Sequence, residues 1–224
     1  MTNVRCVVFD VDDTLYLERD YVQSGFRAVD RWAYSKLGIE DFFVRAWHLF
    51  GCGVRGTVFD DVLASLGRPV GKDTIAEMVH VYRTHRPTIA LLDDARRALV
   101  SLHGVVALAA VTDGPLQSQT AKATELGLAA WLDPIVCTEA LGPTFRKPSS
   151  LAFEQLETQT CARAAACVYV ADNPAKDFAG PKKLGWRTIR VRRTESLHQA
   201  RRSGRDVDQD VATLDGLAGL LGVA

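Results

Sequence analysis

Short runs of apolar and β-branched residues alternate with segments of helical character along most of the chain, and this alternation restricts the folds open to it. The central runs are apolar without interruption, which is typical of strands that a parallel sheet buries on both faces. The alternation predicts an α/β fold with a Rossmann-like, doubly wound parallel sheet and right-handed crossovers. The predicted strands are residues 5–11, 105–111, 134–138, 166–171 and 187–193.

Three helices are predicted between these strands, at residues 116–126, 149–158 and 176–184. Gly127 and Gly185 directly follow the first and the third, and a proline precedes the second. Glycine is favoured just after the last turn of a helix, and proline just before the first, so these residues mark the expected boundaries.

One interval, residues 21–85, contains no convincing strand and breaks the alternation. Its aromatic and aliphatic residues recur at helical spacing in three stripes, which is typical of helices that pack on one another. We therefore expect an all-helical domain of residues 19–86, inserted into an α/β core domain of residues 1–18 and 87–224. The stripes begin at Phe26, Phe42 and Val58.

Composition argues against several classes of partner. The 27 basic residues balance the 27 acidic ones, so no overall field favours nucleic acid or an anionic membrane. No apolar run approaches the roughly 20 residues of a membrane span, and the first residues do not resemble a secretory signal. Five scattered cysteines indicate reduced thiols and a cytoplasmic protein. The arginine-rich residues 187–205 are interpreted as solvated surface, since no aromatics alternate with the charges.

Polar residues follow four of the predicted strands, at the edge where open α/β sheets bind their ligands. Several carboxylates around one point form an oxygen site that suits Mg²⁺, and the cation offsets their mutual repulsion. A lysine there would add positive charge for a phosphoryl group, and a carboxylate could act as nucleophile while another serves as acid and base. Alternation along the strand predicts that Asp13 faces away and is structural. The set is Asp10, Asp12, Asp13, Thr112, Asp113, Lys147, Asp172, Asn173 and Asp177.

In these motifs the chain resembles the haloacid dehalogenase superfamily, specifically its Mg²⁺-dependent phosphatases. The family's DxDxT motif is present as Asp10-Val11-Asp12-Asp13-Thr14, and its second motif, a threonine after an apolar strand, as VTDG with Thr112. RKPS supplies the motif lysine, Lys147, and ADNPAKD the acidic pair Asp172 and Asp177. Ala171 stands where the family more often has glycine. The inserted helices match the family's helical cap in position and length.

The resemblance implies a role for each motif residue. Asp10 would be the nucleophile and Asp12 the general acid and base, which distinguishes phosphatases from the dehalogenase members that lack this second aspartate. The metal ligands would be Asp10, Asp12 through its backbone carbonyl, and Asp172. Thr112 and Lys147 would bind phosphate, with Asp177 in support. Beside these motif residues, Asp113 is a candidate phosphate contact and Asn173 a candidate supporting residue, with a turn or outer-shell role as the alternative for both.

The expected function is therefore hydrolysis of a small phosphate ester, such as a sugar phosphate or a nucleoside monophosphate, through an aspartyl-phosphate with Mg²⁺. Two alternatives stay open: a phosphotransferase or mutase of the same family, and a non-catalytic phospho-aspartate switch or binding module. In the helical cap, Arg55, Arg83 and His85 are candidate substrate contacts, with surface or hinge packing as the alternative for each. The sequence leaves the substrate and the existence of a homodimer open.

Overall fold

A computed structural model of the chain describes residues 4–68 and 70–223. Within these residues, six strands form one all-parallel sheet: β1 (Cys6–Phe9), β2 (Ala107–Thr112), β3 (Ile135–Cys137), β4 (Cys167–Ala171), β5 (Arg187–Val191) and β6 (Gln209–Val211). The strand order is β3-β2-β1-β4-β5-β6. β2 and β3 lie on one side of β1, and β4, β5 and β6 lie on the other. Where the strand order reverses in this way, a crevice lies at the carboxyl end of the strand, here β1. The predicted α/β fold class is confirmed.

Helices connect the strands, and among the described residues none is long and apolar enough to cross a bilayer. In the part of the chain that the structure describes, five helices lie between β1 and β2: α1 (Glu18–Leu37), α2 (Phe42–Gly51), α3 (Val58–Ser65), α4 (Lys72–Thr84) and α5 (Asp93–Leu102). The others are α6 (Leu116–Glu125), α7 (Thr138–Leu141), α8 (Leu151–Thr160), α9 (Ala179–Lys183) and α10 (Leu217–Leu221).

The two central strands, β1 and β4, are fully buried, as their unbroken hydrophobic runs predicted. Val8 of β1 pairs in register with Ala109 on one side and with Tyr169 on the other. On one face the ring of Phe153 lies edge-on to Tyr169 at 4.9 Å and to Trp186 at 5.5 Å between centroids. This aromatic packing holds β4, the strand that carries the last motif, against the helix α8.

The chain packs as two compact units, one of residues Asp20–Thr88 and one of the residues before and after them. In the first, α1 to α4 bury an aromatic cluster, with the rings of Phe26 and Phe59 at 6.0 Å and those of Phe42 and Phe59 at 5.8 Å. The three predicted helical stripes lie on α1, α2 and α3. The fourth helix was not predicted; of its side chains that of Met78 is buried, and those of Ile75, Val79 and Tyr82 are half-buried.

Strand bounds differ from the prediction by up to two residues, and two differences matter most. β1 ends at Phe9, two residues earlier than expected, so Asp10 to Thr14 form a loop and not a strand. The short strand Gln209–Val211 was missed because its residues are polar or half-exposed, and three residues carry little periodicity.

The prediction that the arginine-rich segment is solvated surface is wrong for Arg190 and Arg193, which are 0% and 7% exposed. Arg190 donates to the backbone carbonyls of Asp172, His198 and Arg201 at 2.7 to 2.8 Å. Arg193 donates to the carbonyl of Thr14 and to Asp94, the latter at 2.7 Å. A guanidinium can be buried when its donors are satisfied in this way, so both arginines tie the C-terminal segment to the motif loops.

Candidate active site

Lys147 and Asp10 form the centre of the site at the carboxyl end of β1. Asp10 directly follows the strand, and its backbone N–H donates to the carbonyl of Val170 on the neighbouring strand at 2.9 Å. The Lys147 ammonium donates to Asp10 Oδ1 at 2.7 Å and lies 2.8 Å from Asp177 Oδ1. It also donates to the hydroxyl of Tyr169 at 3.1 Å. The lysine therefore links the first motif to the last through a buried ion-pair network.

Asp10, Asp172 and Asp177 together form a buried acidic cluster, each offering a carboxylate oxygen within 4.8 Å of the others. Lys147 places one positive charge against these three carboxylates. Asp172 Oδ2 is buried without a hydrogen-bond partner among residues 4–68 and 70–223. Excess negative charge and an unsatisfied carboxylate oxygen are what a bound cation would correct, so these hard oxygen ligands fit a divalent metal ion.

Burial, together with the neighbouring carboxylates, raises the pKa of two cluster members. Burial, and then the charges of Asp10 and Asp177, raise the pKa of Asp172 to about 10. Burial also raises the pKa of Asp10, which reaches only about 6 because the Lys147 ammonium opposes the rise. Without a cation the cluster therefore prefers to retain protons.

Asp12 lies in a separate group of contacts. Its Oδ1 accepts hydrogen bonds from the Tyr16 hydroxyl and, at 2.7 Å, from the Lys122 ammonium. Its Oδ2 accepts one from the Gln119 amide at 3.2 Å. Burial acts to raise the pKa of Asp12, but Lys122 and these hydrogen bonds outweigh it, and the pKa is lowered. The two motif aspartates, Asp10 and Asp12, thus have different electrostatic surroundings.

Thr112, the last residue of β2, is joined to Asp12 through a single side chain. Its hydroxyl donates to Gln119 Oε1 at 3.1 Å, while Gln119 Nε2 donates to Asp12 and, at 3.0 Å, to the carbonyl of Asp113. Sequence analysis did not identify Gln119, Lys122 or Tyr16. The sequence offers only a weak sign of this support. Gln119 and Lys122 are two polar residues three positions apart on the helix that follows the second motif.

The carboxylate of Asp113 is engaged with protein groups. It accepts the Thr138 hydroxyl at 2.6 Å and the backbone N–H of Lys147 at 3.3 Å, and the Lys176 ammonium lies 3.5 Å away. These contacts orient the loop that carries Lys147. Contact between Asp113 and phosphate stays a prediction.

The last motif folds as a tight loop. Asp177 Oδ2 accepts the backbone N–H of Asn173 at 2.8 Å, and Asn173 Oδ1 accepts that of Ala175 at 3.0 Å. Asp177 therefore uses one oxygen to shape the loop and the other to pair with Lys147. This arrangement presents Asp172 and Asp177 to the same point.

Asp13 has a structural position, but the reason is not strand alternation, because β1 has already ended. Its backbone has a positive φ of 53°, and its carboxylate accepts the N–H groups of Glu18 at 2.8 Å and Leu197 at 2.7 Å. Both bonds fasten the motif loop to its neighbours.

Gly180 of α9 lies against the backbone that follows Lys147. A Cβ there would be 2.6 Å from the carbonyl oxygen of Ser149 and 2.9 Å from that of Pro148. Because backbone cannot move aside cheaply, we expect Gly180→Ala to destabilise the fold by about 1–3 kcal/mol. Urea unfolding measures this loss.

Gly219→Ala in α10 is the matched control, since nothing lies within 4 Å of its added Cβ. Alanine in an unobstructed helical position stabilises by roughly 0.5–1 kcal/mol, so the two variants should change stability in opposite directions. A stabilised Gly180→Ala would contradict the close approach.

The three predicted cap residues all lie in the helical unit. The Arg55 guanidinium donates to the carbonyls of Phe50 and Val54 and stacks on the Phe50 ring at 3.8 Å. His85 Nδ1 donates to the carbonyl of Tyr82 at 2.6 Å, and Arg83 is exposed on α4. Substrate contact by Arg55, Arg83 or His85 stays a prediction.

Two curated relatives match most of the chain, and both are named glyceraldehyde 3-phosphate phosphatase. The protein from Methanocaldococcus jannaschii is 27% identical over 199 residues, covering 84% of this chain and 85% of that protein. The protein from Methanopyrus kandleri is 27% identical over 214 residues, covering 91% of each.

Among solved structures, the magnesium-bound HAD-hydrolase YfnB from Bacillus subtilis superposes with a TM-score of 0.70 at 19% identity. The match covers 98% of this chain and 99% of that one, and at this identity it indicates a shared fold alone. The family model of haloacid dehalogenase-like hydrolases matches residues 4–185. The chain therefore belongs to the haloacid dehalogenase-like hydrolases.

Proposed function

We propose that this chain is a phosphatase that hydrolyses a small-molecule phosphate ester through an aspartyl-phosphate on Asp10. The observation that carries the proposal is the buried Lys147 held between Asp10 and Asp177, at 2.7 and 2.8 Å. A buried ammonium beside a carboxylate nucleophile supplies the charge that a phosphoryl group needs on approach. The two relatives named as phosphatases support the same reaction.

In the first step an oxygen of Asp10 forms a bond to phosphorus as the bond from phosphorus to the leaving oxygen breaks. The electron pair of that bond goes to the leaving oxygen, which takes a proton from the Asp12 carboxyl and departs as an alcohol. Because the effect of burial is outweighed by Lys122 and hydrogen bonds, the pKa of Asp12 is lowered in the free site, and Asp12 takes up this proton when the negative phosphate ester lies beside it. Lys147 and the Thr112 hydroxyl would contact the phosphoryl oxygens. The product of this step is an acyl-phosphate on Asp10.

In the second step a water molecule gives a proton to the Asp12 carboxylate, and its oxygen bonds to phosphorus. The bond from phosphorus to Asp10 breaks, its electrons return to the aspartate, and inorganic phosphate is released. Asp12 has then recovered its proton, and both residues are ready for another cycle.

Mg²⁺ is the cation that we propose for the acidic cluster of Asp10, Asp172 and Asp177. Asp10, Asp172 and the backbone carbonyl of Asp12 would hold it. It would supply charge neutralisation, so that a phosphate dianion can approach the carboxylates. The unsatisfied oxygen of Asp172 supports this assignment.

For the substrate we propose a short sugar phosphate of about the size of a triose phosphate, following the relatives' names. The helical unit, Asp20–Thr88, would act as the cap that selects it. We propose a cytoplasmic location, which the five free cysteines support. Two of them, Cys6 and Cys167, are register partners on the adjacent strands β1 and β4, and both are free thiols.

Phosphate release from glyceraldehyde 3-phosphate, hexose phosphates, nucleoside monophosphates and p-nitrophenyl phosphate tests the proposal. We expect the highest kcat/KM for the triose phosphate, with free phosphate equal to the substrate consumed. Phosphate that appears on an acceptor instead would indicate a phosphotransferase. No turnover of any ester would contradict the proposal.

Removal of divalent cations should make stability fall as pH rises. The raised pKa values of Asp10 and Asp172, about 6 and about 10, mean that the folded chain holds protons that the unfolded chain has lost above about pH 4. The melting temperature in chelator should therefore be lower at about pH 8 than at about pH 5. Saturating Mg²⁺, at about 100 times its Kd, should restore about 2.7 kcal/mol.

Asp172→Asn is the control for this titration, because Asp172 has the higher of the two raised pKa values in the acidic cluster. Its melting temperature in chelator should depend less on pH, and Mg²⁺ should raise it less. A wild-type melting temperature that increases over this range in chelator would contradict the assigned cluster.

A further inference from the structure

Helix α6 carries two buried polar side chains, Gln119 and Lys122, that the reaction as described does not use. They are 5% and 4% exposed, and they lie three residues apart, on one face of the helix. Both point their polar atoms at Asp12, although they lie 107 and 110 residues from it in the chain.

Each oxygen of the Asp12 carboxylate receives a donor from this helix. Lys122 Nζ is 2.7 Å from Oδ1, and Gln119 Nε2 is 3.2 Å from Oδ2. Two donors on two oxygens fix the plane of the carboxylate, which one contact would leave free to rotate. The Tyr16 hydroxyl adds a further donor on Oδ1.

Gln119 also sets the relation between Asp12 and Thr112. Because its Oε1 accepts the Thr112 hydroxyl at 3.1 Å while its Nε2 donates to Asp12, the amide orientation is determined at both ends. The acid–base group and the hydroxyl predicted to contact phosphate are thereby held by one side chain.

Stability alone does not account for Lys122. Burying an ion pair costs desolvation, and an apolar residue of similar volume is often as stable or more stable. The Asp12 carboxylate is still 17% exposed, whereas the Lys122 side chain is 5% exposed. The lysine is thus buried behind a carboxylate that itself reaches solvent, which is the arrangement of a support for a working group.

We propose that Lys122 and Gln119 are positioning residues that hold the Asp12 carboxylate where it takes the proton of the attacking water in the second step. The inference rests on the proposed phosphatase function. The bonds made and broken are those given for that step, and neither positioning residue gains or loses a proton. Misplacement of a reacting group by about 1 Å costs on the order of 100-fold in rate, so their loss should slow this step.

The test is the time course of nitrophenolate release from p-nitrophenyl phosphate by Lys122→Met, with Mg²⁺ present. This ester has a good leaving group that needs little help from an acid, so the first step should stay near its wild-type rate. The second step should slow by about 10–100-fold. We expect one nitrophenolate per enzyme to be released rapidly, followed by slow turnover, with phosphate bound covalently to the protein.

Three further variants separate positioning from structure. Lys122→Arg keeps a donor and should recover part of the second step, while Gln119→Glu keeps an acceptor for Thr112 but loses the donor to Asp12 and should resemble Lys122→Met. Gln117 lies at an exposed position of α6 and does not contact Asp12. Gln117→Gly weakens the helix by about 1 kcal/mol and should leave both steps unchanged.

Equal slowing of both steps, or an unchanged second step, in a folded Lys122→Met would overturn the inference. The same holds if Gln117→Gly produces the same rapid release and slow turnover as Lys122→Met. Failure of the wild type to hydrolyse any ester would instead refute the phosphatase function itself, so the two failures are distinguishable.

Discussion

Asp10→Asn should abolish turnover while leaving the fold intact. The amide has nearly the shape of the carboxylate but is a poor nucleophile, so we expect kcat to fall roughly 10³-fold or more. The same change removes one of three crowded carboxylates, and Lys147 keeps Asp177 as a partner at 2.8 Å. In chelator the melting temperature should therefore be unchanged or higher than that of the wild type. Phosphate release and thermal unfolding measure the two effects.

A loss of activity that coincides with a loss of stability would not support a nucleophile. Asp215→Asn serves as the control, because this aspartate pairs with Arg97 at the surface of the same unit and should change neither property much. Mass spectrometry of rapidly quenched wild-type reactions should find a phosphoryl group on Asp10 and none on Asp10→Asn. Activity retained by Asp10→Asn would refute the mechanism.

The α/β core was predictable because its signal is local and repeated. Each central strand is a continuous apolar run, and parallel strands bring their carboxyl ends to one edge whatever the crossovers between them contain. That rule alone placed Asp10, Thr112 and Asp172 near each other in the prediction. It also placed Lys147 there, in the loop that follows the third predicted strand.

The support around Asp12 could not be predicted in the same way. Gln119 and Lys122 reach it only because α6 lies beside the loop that follows β1, and the pairing depends on tertiary contacts across more than a hundred residues. The buried arginines present the same difficulty. The sequence pattern predicts that Arg190 lies at the surface. In the fold, backbone carbonyls surround its guanidinium and accept its hydrogen bonds.

Lys147→Met should be among the most destabilising substitutions in the α/β core. Its ammonium is 0% exposed and pairs with Asp10 and Asp177, which are 5% and 0% exposed. Removing one partner from a buried ionic group leaves uncompensated charge, which costs about 3–5 kcal/mol. Urea unfolding at neutral pH in chelator measures the loss, and a thermal melt should show it at about 2–4 °C per kcal/mol.

Lys182→Met is the matched control, because Lys182 also pairs with an aspartate, Asp208, but at the surface with both side chains more than a third exposed. Exposed pairs contribute about 0–1 kcal/mol, so similar losses in the two variants would contradict a buried ionic centre.

The decisive comparison is the double variant of Lys147→Met with Asp177→Asn. If the loss arises from unpaired charge, removing Asp177 should restore part of the stability that the lysine substitution takes away, and the two effects will not add. Catalysis should not return, because the phosphoryl group would still lack its cation. Recovered stability without recovered activity would show that Lys147 serves two separable purposes: it balances the acidic cluster in the folded chain, and it provides charge for the reaction.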